Sequence, residues 1–315
     1  MHCQLAEEYR STGILAAMLS LAACGAPLAA QIRDKVPEKA AFRVDSQMVL
    51  VSATVMDRKG MPVTGLRADS FSLTQDNAPR PIVSFGEEDV PVSVGIVLDT
   101  SGSMLPVLGM AKDMLRAFVE ASNPEDESSL FTVGSQPEKI SGFTGDTESL
   151  VGKTLFHDAG GATALVDTVY SALNQMRQAK RSRKAILVIS DGMDNHSRYS
   201  VSELMAAAVE SDLQIYSITV YDPPRNKKPI ELQEERNGLA FLEDLSRKTG
   251  GVQLVVRDQK EILQAASRIG HIMRNQYLIG FVPLAETLPG KWHPIRISVS
   301  NPEAKAYART GFYVR

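Results

Sequence analysis

The stretch VSVGIVLDTSGSM, residues 92–104, decides how the rest of the chain is read. From Val92 to Leu98 it is an almost unbroken apolar run. A strand without polar alternation is one covered on both faces, as in a parallel sheet with helices on either side. The run stops at Asp99-Thr100-Ser101-Gly102-Ser103. That motif presents a carboxylate and two hydroxyls at i, i+2 and i+4, with Gly102 permitting a tight loop. In doubly wound sheets, ligands bind beyond the carboxyl ends of the strands, where this motif falls.

On the C-terminal side, helical and extended patterns alternate. Residues 108–121 have helical spacing, and 130–133 and 139–143 read as short strands. Residues 164–178 read as a helix with Leu165, Val169, Ala172, Leu173 and Met176 on one face. A second buried strand follows at 185–189, then a helix at 201–211 and a strand at 213–220. The polar, proline-bearing stretch 223–237 reads as an exposed loop. A helix at 239–248 ends at Gly250-Gly251, followed by a strand at 252–256 and a helix at 261–273. This alternation predicts an α/β fold with a doubly wound, mostly parallel sheet.

Both flanks are extended in character. Residues 49–56, 71–74 and 82–85 precede the α/β part, and 277–282, 294–299 and 307–314 follow it. The economical arrangement packs the two flanks together as one β-sandwich-like subdomain. The chain then divides into a leader at 1–30, an N-terminal β segment at 40–90, the α/β domain at 91–274 and C-terminal strands at 275–315. The aromatic residues Tyr277, Phe281, Trp292, Phe312 and Tyr313 are expected in the core of that subdomain.

Two further segments can complete the site after the first buried strand. Gly160-Gly161-Ala162-Thr163 opens a helix and supplies a hydroxyl. The strand at 185–189 ends in Ser190-Asp191-Gly192, which puts Asp191 at a strand's carboxyl end. Taken singly, each has a plainer role: Asp99 to Ser103 as a helix cap, Thr163 as another cap, Asp191-Gly192 as a turn. Together they form a set of hard oxygen donors suited to Mg²⁺ or Mn²⁺ rather than zinc or copper. Asp194 reads as a solvent-facing turn acid, with support of the ligands around Asp191 as the alternative; His157 and His196 read as solvated loop residues or part of a partner surface, 195–199 as part of the contact rim, and Met104 as a packing residue.

In this order and context, D-x-S-x-S, then GGxT, then SDG resembles the metal-ion-dependent adhesion site of von Willebrand factor A and integrin I domains. Asp99, Ser101, Ser103, Thr163 and Asp191 match that pattern without substitution, and the resemblance covers roughly 91–274. The flanks are similar to those of the von Willebrand factor A-related proteins abundant in Acidobacteria. Met56-Asp57-Arg58-Lys59-Gly60, Val63-Thr64-Gly65-Leu66 and Asp69-Ser70-Phe71 carry this likeness, with Asn275-Gln276-Tyr277-Leu278-Ile279-Gly280 and Arg309-Thr310-Gly311-Phe312-Tyr313. The resemblance implies that some of the five side chains touch one divalent ion and the others act through water. It also implies that an Asp or Glu of a protein partner fills the open coordination position.

Residues 13–23, GILAAMLSLAA, form an apolar stretch too short to span a bilayer and fit the core of a secretory signal peptide. Leu21-Ala22-Ala23-Cys24 looks like a lipidation site at Cys24, while 26–30 offers an ordinary cleavage site. The two cysteines, Cys3 and Cys24, both lie in this leader, which excludes a zinc or redox site built on cysteine in the exported chain. The expected location is therefore periplasmic, envelope-anchored or secreted, with a membrane tether if Cys24 is lipidated. A net charge of −3 with mixed signs gives no basic footprint for nucleic acid. Walker loops, the G-x-S-x-G elbow and H-E-x-x-H are absent from the sequence. The chain is thus expected to be a metal-dependent protein-binding module and not an enzyme. The alternative is a structural envelope-assembly protein in which the metal only stabilises the loops.

Overall fold

The computed structural model describes residues 48–154, 160–220, 228–284, 287 and 290–313. The leader, with Cys24 and both cleavage options, lies outside the described residues, as does His157. In chain order the strands are β1 (Val49–Asp57), β2 (Phe71–Gln75), β3 (Ala78–Arg80), β4 (Ile82–Asp89), β5 (Val92–Asp99), β6 (Glu127–Val133) and β7 (Glu138–Thr144). They continue with β8 (Arg183–Ile189), β9 (Gln214–Val220), β10 (Gln253–Val256), β11 (Asn275–Phe281), β12 (Trp292–Val299), β13 (Ala304–Ala308) and β14 (Gly311–Tyr313). The helices are α1 (Leu108–Glu120), α2 (Thr147–Thr154), α3 (Leu165–Gln175), α4 (Val201–Glu210), α5 (Pro229–Thr249) and α6 (Ile262–Arg274).

The central sheet has the order β10-β9-β8-β5-β6-β7. Its strands are parallel except β7, which runs antiparallel to β6. β5 is buried along its whole length, as its composition demands. Val92, Val94, Ile96 and Leu98 face the core shared with α1 and α6, while Val97 faces the one shared with α3, α4 and α5. The chain proceeds from β5 to β6 on one side and later to β8 on the other. The strand order therefore reverses at β5, and the crevice of a doubly wound sheet opens at its carboxyl end.

The flanks form two four-stranded sheets, β13-β1-β11-β4 and β14-β12-β2-β3. Each joins strands from both ends of the chain: β1 and β4 pair with β11, and β2 pairs with β12. Val51, Val55, Leu73, Ile279 and Ile297 close the core between them. Phe71, Phe85 and Tyr277 pack there with ring centroids 5.0–5.7 Å apart. The Tyr277 hydroxyl donates to Val63 O (2.8 Å) and accepts from Leu66 N (3.1 Å), tying the loop before β2 to the core.

Four details differ from the sequence-based expectation. The helix expected at 239–248 begins ten residues earlier, at Pro229, so much of the expected 223–237 loop is helix. Pro229 pre-sets the first turn, and Glu231 accepts from Lys228 N (2.9 Å), so polarity here marks an exposed helical face. The single strand expected at 307–314 is two, because the chain turns a corner at Arg309–Thr310 between the two sheets; there Thr310 N donates to Lys248 O (3.2 Å). The short elements β3 and α2 carry too little periodicity to be expected. Of the C-terminal aromatics, Tyr277, Phe281 and Phe312 are core, but Trp292 and Tyr313 pair on the outer surface.

Candidate metal centre

Parallel pairing of β5 with β8 aligns Leu98 with Ile189, so Asp99 and Ser190 leave the sheet side by side. The Ser190 hydroxyl donates to Asp99 Oδ2 (2.5 Å), and Ser101 N donates to Asp99 Oδ1 (2.9 Å). Asp99, Ser101 and Ser190 are fully buried, Thr163 nearly so, Asp191 is half-buried and Ser103 is exposed. The Ser101 and Ser103 hydroxyl oxygens lie 3.2 Å apart. The motif thus runs from a buried carboxylate outward to an exposed hydroxyl.

Three loops are laced together around it. Thr100 fixes the first to the end of β6 through its hydroxyl, which donates to Val133 O (2.9 Å). The loop before α3 crosses it: Gly102 N donates to Gly161 O (3.2 Å), and Gly160 N to Thr100 O (3.0 Å). That loop is held in turn by the one after β8. Thr163 N donates to Asn195 Oδ1 (2.9 Å), while Asn195 N and His196 N both donate to Thr163 O (3.0 Å each). The structure therefore brings the loops of all five expected residues to one place.

Sequence reasoning did not assign the lacing role to the residues that perform it. Asp194, expected to be a solvent-facing turn acid, is exposed but caps α3: its Oδ2 accepts from Val166 N (2.8 Å). Asp167, in the first turn of α3, accepts from Arg198 N and Tyr199 N (2.9 and 3.0 Å). These bonds join residues about thirty positions apart, so local pattern carries no trace of them; a run of Asp, Asn and Ser after a buried strand is the nearest signal. Gly192 adopts φ +84°, and a Cβ there would overlap the backbone of Gly238. This glycine pair lets α5 lie against the Asp191 loop. Met104 is fully buried beneath the site, and His196 is exposed.

The electrostatics suit a cation. Burial pushes the Asp99 carboxyl up to about 6, with the neighbouring Asp191 charge adding to the rise and hydrogen bonds from Ser101 and Ser190 opposing it. Among the described residues, no basic side chain contributes to that balance. Two carboxylates and three hydroxyls are a donor set that an octahedral Mg²⁺ or Mn²⁺ accepts, and they would hold the ion through Asp99, Ser101, Ser103, Thr163 and Asp191. Among the described residues there is no group of three or more His, Cys, Asp or Glu that could hold a metal. Beside Ser103 and Asp191 lies a cavity of about 200 Å³, walled by Pro106, Val107, Met193 and the α5 glutamates Glu231, Glu234 and Glu235.

Residues 94–193, which run from β5 to the loop after β8, match the model of the von Willebrand factor type A domain family. The chain carries a von Willebrand factor A domain. Its architecture is the α/β sheet of that family, with the two-sheet sandwich added from the flanks. Among solved structures it is similar to a von Willebrand factor type A protein from Catenulispora acidiphila. The identity there is 10% over 77% of this chain and 75% of that one, with a TM-score of 0.49. It is also similar to the conserved hypothetical protein BatB from Bacteroides thetaiotaomicron (22% identity, 56% and 98% coverage, TM-score 0.41). A third is the von Willebrand factor domain of the type V pili tip protein Mfa5 from Porphyromonas gingivalis (15%, 58% and 94%, 0.46). No curated protein matches the sequence.

Proposed function

We propose that this von Willebrand factor A domain binds a protein partner through one divalent cation, Mg²⁺ or Mn²⁺, and catalyses no reaction. The observation that carries the reading is the meeting of three loops that bear oxygen donors at the switch point of the sheet, beside a buried carboxylate to whose balance no basic side chain among the described residues contributes. Where the hydroxyls touch the ion and the carboxylates act through water, the ion keeps much of its charge towards the open side. An Asp or Glu carboxylate of the partner is the natural group to complete its shell. Exposed Leu105, Tyr199 and Ile230 provide apolar surface on neighbouring segments for the rim of such a contact.

The leader at 13–23 would carry the domain out of the cytoplasm, with Cys24 as a lipid tether to the envelope or 26–30 as the release point. Isothermal titration with MgCl₂ and MnCl₂ tests the core of the reading. Wild type is expected to bind one ion, and Asp99→Ala none, with an unchanged circular dichroism spectrum. Equal metal affinity in the folded variant overturns it. Intact-mass measurement of the exported product distinguishes a lipid-bearing Cys24 from a chain cut within 26–30.

A further inference from the structure

A second candidate contact region lies on the opposite logic: strand edges instead of strand ends. β13 is the outer strand of its sheet, and β10 is the outer strand of the central sheet. β12 is paired on one side with β2 along Ile295–Val299, but on its other side β14 reaches it only at Trp292–Pro294. Residues from all three strands or their flanks line one groove of about 520 Å³, with α5 forming its far wall. The core residues Val252, Ile295 and Ile297 floor it, with the half-buried Tyr307 beside them.

Unpaired edges present rows of backbone N–H and C=O groups that an incoming extended chain can satisfy. The charge of the groove says which chain that is. Its charged lining is Arg247, Arg296, Lys305 and Arg309 against one acid, Glu243. Arg309 is matched by Asp212, and Arg247 by Asp244 at the surface. Among the described residues Arg296 and Lys305 pair with no carboxylate; Lys305 sits over the Tyr307 ring, 4.9 Å from its centre. A second copy of this chain docking edge to edge would bring the same positive charges together. An extended segment bearing Asp or Glu at alternate positions would meet them with opposite charge while its backbone extends a sheet.

We propose that this groove binds an acidic, extended peptide segment of a partner protein by strand addition along β13, independently of the metal centre. The test uses the full chain in EDTA and a fluorescein-labelled Asp-Val-Asp-Val-Asp-Val-Asp peptide, read by fluorescence anisotropy. The expected result is saturable binding that a Lys-Val-Lys-Val-Lys-Val-Lys peptide does not show. Arg296→Glu combined with Lys305→Glu should weaken it about tenfold or more, and the milder Arg296→Gln with Lys305→Gln should weaken it less. Amides of Ala304–Ala308 should gain protection from hydrogen exchange when the acidic peptide is present. Equal binding of the two peptides, no binding at millimolar peptide, or unchanged affinity in the charge-reversed variant would each overturn the proposal. So would a concentration-dependent dimer of the chain alone that the charge reversal abolishes, since the occupant would then be a second copy. Because EDTA is present throughout, the outcome does not depend on whether the centre at Asp99 binds metal.

Discussion

The loop cluster around Asp99 and the aromatic core around Tyr277 meet the same need, that of tying distant segments together, by opposite means. In the sandwich, β1, β2, β11 and β12 are joined by apolar side chains and ladders, with the Tyr277 hydroxyl as a polar accessory. Around Asp99 the joining is polar: Asn195, Asp194 and Asp167 hold backbone N–H groups, and a buried carboxylate sits at the centre. The first region is stabilised by removal from water. The second carries a desolvated charge that hydrogen bonds from Ser101 and Ser190 offset only in part, so its stability should depend on solution conditions in a way the sandwich's does not.

The largest effect that would sharpen this contrast is expected at Gly192. Alanine there would be strained at φ +84° and would overlap Gly238. Destabilisation of about 3 kcal/mol is expected in urea unfolding, together with weaker metal binding as α5 is pushed off the Asp191 loop. A variant of wild-type stability would mean that the close glycine pair does not hold the loop.

Next in size is a pH effect on the chelated protein. The folded-state Asp99 value of about 6 lies above the ordinary 3.8, so folding disfavours the carboxylate form and the ionised group destabilises the fold above that value. The penalty is relieved as pH falls from about 6 towards 3.8. In EDTA, wild type should gain on the order of 1 kcal/mol between pH 7.5 and pH 5 relative to Asp99→Asn, which lacks the titrating group. Parallel pH profiles for the two proteins would contradict the buried-charge account. The smallest effect belongs to the sandwich. Tyr277→Phe removes the hydrogen bonds to Val63 and Leu66 and should cost about 1 kcal/mol, with metal affinity unchanged. A loss of metal binding in that variant would show that the two regions are not independent.

What was legible in the sequence follows from how locally each feature is encoded. β5 and β8 announce themselves because burial on both faces demands apolar runs, and the motif residues sit directly at their ends. The pairing of the two flanks was readable from their shared extended character. The first turns of α5 were not, because an exposed helix start rich in Glu and Gln, opened by a proline, has the composition of a loop. The corner between β13 and β14 was hidden because strand propensity continues through Tyr307 while the sheet changes. The bonds from Asp194, Asn195 and Asp167 span residues far apart in sequence and exist only once three loops have met. The basic groove is likewise assembled from residues between Glu243 and Thr310 that share no pattern.

The α/β body is spliced into the sandwich: it is entered after Asp89 and left at Asn275, and these two residues are cross-strand partners. β4 finds its ladder partner in β11, and β1 finds its partners in β11 and β13, all beyond residue 274. During synthesis, both early strands must therefore wait until the whole inserted body has emerged. Closing a loop of that length from an unfolded chain carries an entropic cost, which prior folding of the insert reduces by delivering its two ends to neighbouring positions. The connectivity therefore predicts an order of assembly, in which folding of the inserted body precedes closure of the sandwich and draws its strands together.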